Sequence, residues 1–131
     1  MKLLIEFFAN RVRSIAYAIE GWHYVLKHEK NAWVHAFASL CVLLVGLWLE
    51  IGRLEWALLI IMVTLVWLAE FINTAIEAVV DLASPAHHPL AKMGKDIGAA
   101  GVLIAACAAV LVGIIILGPL FLQKIQQLIG E

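Results

Sequence analysis

Proline and cysteine are scarce in this chain of 131 residues, with three of the first and two of the second. Cys41 and Cys107 both lie inside apolar runs, which argues against a disulfide framework or a cysteine metal site and leaves them as small packing residues. Charge is scarce too: charged residues make up 15% of the chain against 64% hydrophobic, and the formal net charge is -1. No basic stripe interleaved with aromatics is present, so nucleic-acid binding has no support. The first thirty residues are not expected to be a cleavable signal, because Lys2, Glu6, Asn10, Arg11, Arg13, Glu20, Lys27 and Glu29 interrupt residues 1–30 and leave no long uncharged core.

What the chain has instead is long apolar runs. A soluble domain this short could not hide so much apolar surface. Residues 32–49, 54–82 and 97–122 are expected to be membrane helices, each long enough, or nearly so, to cross about 30 Å of hydrocarbon. The expected fold is therefore an all-α integral membrane protein, with residues 1–131 forming a single domain. Ahead of the spans, Leu3, Leu4, Phe7, Phe8, Ile15, Ile19, Trp22 and Leu26 recur at near-helical spacing between charges. That pattern predicts an amphipathic helix over residues 1–30 lying in the membrane interface, although a helix packed on other helices would look similar.

Basic residues are distributed unevenly. Lys2, Arg11, Arg13, Lys27 and Lys30 precede the first span and Lys92 and Lys95 lie between the second and third, leaving Arg53 and Lys124 elsewhere. This bias places the N-terminal segment and the SPAHHPLAKMGKD connection on the cytoplasmic side. Trp48 and Trp56 flank the LEIGRLEW turn as outer anchors, with Gly52 as its expected breaker, and Trp22 and Trp33 fit the same role on the inner side. The third span is expected to end at Gly118 and Pro119.

The second span is more than an anchor. With no Gly or Pro between Gly52 and Pro85, its helix is expected to continue to about Leu82 and to carry the stretch AEFINTAIEAVVD through the cytoplasmic interface. Taking Glu70 as zero, Asn73, Glu77 and Asp81 fall at about 300°, 340° and 20°, one strip about 80° wide. Helices entering water often turn such a face outward. Glu70, however, stands beside apolar residues at the edge of the hydrocarbon, where an ionised carboxylate is expensive unless paired, hydrated or bound to a cation. Two chemistries suit the strip: oxygen ligands for a hard divalent cation such as Mg2+, or a relay of protons or ions. The rest of the span, ALLIIMVTLVWL, offers only Thr64, which favours a site at one surface over a path across the membrane. His87, His88, Lys92, Lys95, Asp96 and Glu29 lie on the same predicted side, with Lys95 and Asp96 as an adjacent basic and acidic pair.

The string E70-F-I-N73-T74-A75-I76-E77-A-V-V-D81, together with Glu29 and the AKMGKD run of Ala91 to Asp96, resembles the signature of the small prokaryotic diacylglycerol kinases. The resemblance covers nearly the whole chain. It implies a homotrimer of three-span subunits with shared active sites at the cytoplasmic surface, MgATP as phosphoryl donor and a membrane lipid alcohol as acceptor. It implies Glu70 as general base and Glu29 and Glu77 as metal ligands, with Asn73 supporting the site and Tyr17 near the nucleotide. His87 and His88 fall in its nucleotide-binding connection, and Lys95 with Asp96 matches a pair that contacts phosphates and ribose. Asp81 completes the motif in a catalytic or a structural part. The HHPLAK form of the connection resembles the Gram-positive branch, which implies undecaprenol as acceptor, with diacylglycerol as the alternative. A non-enzymatic channel or regulatory subunit is the competing class. Neither a P-loop nor a protein-kinase signature is present.

Overall fold

The computed structural model describes residues 1–84, 86 and 88–130, apart from the side chains of residues 2, 3, 5 and 9. Four helices follow one another: α1 (Lys2–His28), α2 (Lys30–Trp48), α3 (Arg53–Ala83) and α4 (Pro89–Ile129). The last three are long and apolar enough to cross a membrane, and α1 is the amphipathic one. The break between α1 and α2 is a single residue. Glu29 adopts an extended backbone (φ -97°, ψ 114°), its N–H closes α1 on the Val25 carbonyl at 2.9 Å, and its side chain caps neither helix. Its carboxylate is thereby left free for other work.

The turn between α2 and α3 is built differently from the sequence expectation. The Ile51 N–H donates to the Gly46 carbonyl at 3.3 Å and the Glu50 N–H to the Leu47 carbonyl at 3.2 Å, the hydrogen-bond pattern of a Schellman helix end. The left-handed residue it requires is Glu50, at φ 53°, while Gly52 is extended and caps α3. Glycine matters one turn earlier. A Cβ on Gly46 would stand 2.7 Å from Trp56 Cη2 and 3.1 Å from Ile51 Cδ1, so this position must be bare for Trp56 and Ile51 to close the turn.

Helix α3 runs unbroken for 31 residues, about 46 Å, which carries its last turns beyond a 30 Å hydrocarbon layer. Helix α4 does not stop at Gly118 and Pro119 but continues through them to Ile129. Gly118 lacks the Cβ that clashes with a following proline ring, and in an apolar surrounding a helix that ended there would strand its backbone groups. Helix α3 packs mainly on α4. Among the described residues the buried apolar ones are Val25, Ala32, Ile51, Leu59, Val66 and Val102 alone, too few for a water-soluble core. The remaining apolar faces of α2, α3 and α4 point outward, as a lipid solvent requires. The chain is thus a multi-pass membrane protein.

Candidate functional site

The buried face of α3 passes from apolar to polar without changing direction. Leu59 and Val66 are buried along it and are followed on the same face by Glu70, Asn73 and Thr74. With about 1.5 Å of rise per residue, Glu70 lies some 26 Å from the start of α3, near the far edge of the hydrocarbon. Its side chain is 1% exposed, and among the described residues no other large side chain is so completely enclosed. The strip read from the sequence is therefore not a solvated face at its membrane end. It points into the protein, and exposure rises along it from Glu70 and Asn73 through half-buried Glu77 to Asp81, whose side chain is 67% exposed.

Asn73 stands between Glu77 and α4. Its Nδ2 donates to Glu77 Oε1 at 2.8 Å, and its Oδ1 faces Gly98, where any Cβ would collide with it. The Thr74 hydroxyl donates back to the Glu70 carbonyl at 2.9 Å, which keeps this β-branched side chain satisfied in the buried stretch. Glu29, at the α1–α2 break, is close enough to this cluster to feel it. Partial burial, then repulsion from Glu77 and from Glu70, raises its pKa above the usual carboxylate value. Three carboxylates from two parts of the chain thus share one region.

A second group gathers where α3 ends and α4 begins. Asp81, His88, Lys92, Lys95 and Asp96 line a cleft of about 770 Å3 together with Ser84, Ala86 and neighbouring apolar residues. Lys95 does not pair with Asp96, because consecutive helical residues point about 100° apart. Its Nζ instead donates to both carboxylate oxygens of Asp81, at 2.9 and 3.0 Å, while Asp96 pairs with Lys92 one turn earlier. His88 caps α4: its Nδ1 accepts the Leu90 N–H at 3.2 Å, and Pro89 occupies the first helical position, where no donor is needed. His87 lies outside the described residues.

The remaining nominated residue is on α1. Tyr17 is 66% exposed on α1, about 8 Å along that helix from Trp22. Trp22 itself is not a bare interface anchor, since it packs on Trp67 and Phe71 of α3 with ring centroids 4.9 and 4.6 Å away. One residue at the site was not read from the sequence at all. His35 of α2 places Nε2 3.5 Å from Glu70 Oε2. An ionisable side chain near the start of an otherwise apolar span was the signal that should have singled it out.

Among the described residues no group of three or more His, Cys, Asp or Glu side chains is arranged to hold a metal ion by itself. The site consists of a buried carboxylate at the membrane edge, two further carboxylates beside it, and a cleft with two lysines and two aspartates adjoining them. Such a set suits chemistry between a lipid-borne group and a phosphate-bearing one.

The comparisons with known proteins agree. The profile of the prokaryotic diacylglycerol kinase family matches residues 16–117. The chain is 35% identical over 107 residues to the undecaprenol kinase of Bacillus subtilis, covering 82% of this chain and 87% of that one. It is 38% identical over 111 residues to a diacylglycerol kinase of Synechocystis, covering 84% and 63%, and 36% identical over 116 residues to the diacylglycerol kinase of Escherichia coli, covering 83% and 95%. These matches decide against a non-enzymatic channel or regulatory subunit and place the protein in the inner membrane. The chain belongs to the prokaryotic diacylglycerol kinase family, and its activity is that of a kinase acting on a membrane lipid alcohol.

Proposed function

We propose that this protein transfers the γ-phosphoryl group of ATP to the hydroxyl of diacylglycerol, giving phosphatidate. The observation that carries the site is the enclosed carboxylate of Glu70 at the membrane edge, beside Asn73, Glu77 and Glu29. The acceptor is chosen on the family description and on two of the three relatives above, one of them the relative with the highest identity of the three. Undecaprenol is the second reading. The HHPLAK connection and the Bacillus subtilis relative favour it, but that connection adjoins the cleft rather than the lipid-facing end of the site.

In this reading Glu70 accepts the proton of the lipid hydroxyl as its oxygen attacks the γ-phosphorus, and ADP leaves. Asn73 orients Glu77 through its amide. Lys95 stands where negative charge develops on the phosphates, with Asp81 holding its ammonium in place, and Asp96 and His88 border the same cleft. Tyr17 and His87 are assigned to the nucleotide on the resemblance alone. Glu29 and Glu77 fit a magnesium ion: Mg2+ is bound through one or two carboxylates plus substrate phosphates, so a three-ligand protein cage is not required, and their mutual repulsion marks a place for a cation. When bound, the ion neutralises charge on the β- and γ-phosphates. The protein's part is positioning and electrostatics, and the acceptor's tail never has to leave the lipid.

The reading also includes a homotrimer with shared sites facing the cytoplasm. Its support is the family resemblance and the basic N-terminal segment. The test is phosphorylated lipid made by purified protein in mixed micelles with Mg-ATP and either diacylglycerol or undecaprenol. Phosphatidate as the faster product supports the proposal, and faster undecaprenyl phosphate formation replaces it with the second reading. Glu70→Gln should lower turnover by more than about a hundredfold with nucleotide binding kept, as loss of a general base does. Full activity in that variant would refute the base assignment.

A further inference from the structure

Glu70 of α3 and His35 of α2 meet inside the protein, and among the described residues neither has another partner there. His35 Nε2 and Glu70 Oε2 are both buried without a hydrogen bond to any other group, although their side chains are 12% and 1% exposed and the two atoms stand 3.5 Å apart. Buried donors and acceptors are rarely left alone, so such a facing pair calls for a function. At 3.5 Å the contact is open by about half an ångström relative to a formed N–H···O bond. That looseness is common for catalytic hydrogen bonds before substrate arrives.

The surroundings of His35 hold it toward α3. Its carbonyl accepts the Ser39 hydroxyl at 2.7 Å, and Ser39 Oγ accepts the Trp67 indole N–H at 3.2 Å. The Trp67 ring also stands edge-on to the imidazole, with centroids 6.2 Å apart. Trp67 is one turn before Glu70 on α3, so these contacts tie the turn of α2 that carries His35 to the turn of α3 that carries the carboxylate.

We infer that His35 is a positioning residue for Glu70, its Nε2–H donating to Oε2 so that Oε1 is presented to the hydroxyl of the lipid acceptor. The inference rests on the reading of Glu70 as proton acceptor. His35 does not itself touch substrate. It restricts the carboxylate to one rotamer, and it keeps a donor on the oxygen that does not take the proton.

The test compares His35→Leu, His35→Gln, Glu70→Gln and the double variant His35→Leu/Glu70→Gln in the full chain, reading kcat and KM for lipid and for Mg-ATP. His35→Leu should lower kcat about tenfold to a hundredfold, as loss of one hydrogen bond to a charged group does, with both KM values within about twofold. His35→Gln, which keeps a donor at similar reach, should recover most of that loss. In the Glu70→Gln background His35→Leu should have no further effect. Unchanged kcat in His35→Leu, a rise in KM alone, or a Gln variant as poor as Leu would each overturn the positioning role while leaving an inactive Glu70→Gln to support the base reading. A fully active Glu70→Gln would overturn both. If His35→Leu does not fold, 15N-histidine spectra of the unaltered protein and of Glu70→Gln give the answer: a His35 Nε2–H resonance that does not move between them refutes the contact, and a shift supports it.

Discussion

Gly98→Ala adds one methyl group at the place where α4 meets the polar end of α3. The new Cβ would collide with Asn73 Oδ1 and lie 3.4 Å from its Cγ, yet only 3.9 Å from its Cα, an ordinary contact. The clash is therefore with the amide, not with the helix behind it. Overpacking of this kind costs about 1–3 kcal/mol, and replacing a helical glycine by alanine returns about 1 kcal/mol. The net expectation is a loss of roughly 0–2 kcal/mol, together with displacement of the amide that donates to Glu77 at 2.8 Å. Removing that amide first should reverse the sign. In an Asn73→Ala background Gly98→Ala should be neutral, or stabilising by up to about 1 kcal/mol, a coupling of about 1–3 kcal/mol between the two positions. Denaturation in mixed micelles followed by circular dichroism measures it, and the kinase assay should show Gly98→Ala losing about tenfold or more in kcat/KM. Equal stability changes in both backgrounds would refute the contact and the role given to Gly98.

Glu50→Gly should stabilise the protein by up to about 1 kcal/mol, since glycine occupies the left-handed position of the α2–α3 turn without steric cost, and an unchanged or lower midpoint would contradict the turn as described. Lys95→Met should leave the unfolding midpoint nearly unchanged, because its pair with Asp81 is partly exposed, while turnover falls by an order of magnitude or more; a loss of turnover matched by loss of folded protein would remove Lys95 from the site. Glu29→Gln, measured without Mg2+, should raise the unfolding midpoint at neutral pH. A carboxyl whose folded pKa is raised contributes stability below its unfolded pKa, near 4.5, and loses that contribution as pH climbs through the folded value. The benefit of Glu29→Gln should accordingly fade as the pH falls toward 4.5, and a benefit independent of pH would show that its carboxyl is not strained in the fold.

How much of this was legible in the sequence depended on the range of the interaction. The three apolar helices and the unbroken α3 follow from hydropathy and the absence of Gly and Pro, which act within a few turns. The acidic strip was visible for the same reason, since its members share one helix. Its direction was not, because periodicity tells which residues share a face and not what that face meets. Only packing against α2 and α4 makes the Glu70 end buried and the Asp81 end exposed. Lys95 and Asp96 are neighbours in sequence, yet the Lys95 side chain reaches back 14 residues to Asp81, a contact that adjacency does not show. Gly118 and Pro119 were read by rules for helices in water, where a broken ladder is resolvated at once. In lipid the same dipeptide is cheaper to leave within the helix.

His35 shows the limit most clearly, and also why the limit matters for function. Nothing near it in sequence is acidic on its own helix, so no local rule would pair it. The membrane supplies the missing argument. An ionisable group within a span is tolerated only where it faces the protein, and a span with one such group needs its partner on another helix at a similar depth. Counted back from the α2–α3 turn, His35 is about 20 Å into α2 and Glu70 about 26 Å into α3. Antiparallel neighbours joined by a short turn bring those depths together, and the 3.5 Å contact follows. Matching ionisable residues by depth across a hairpin thus finds what matching by spacing along one helix cannot. Under the proposed function it also gives a reason for the carboxylate to stand on the membrane side of the cleft: there it would meet a hydroxyl whose tail stays in the lipid, while the phosphates would approach from water.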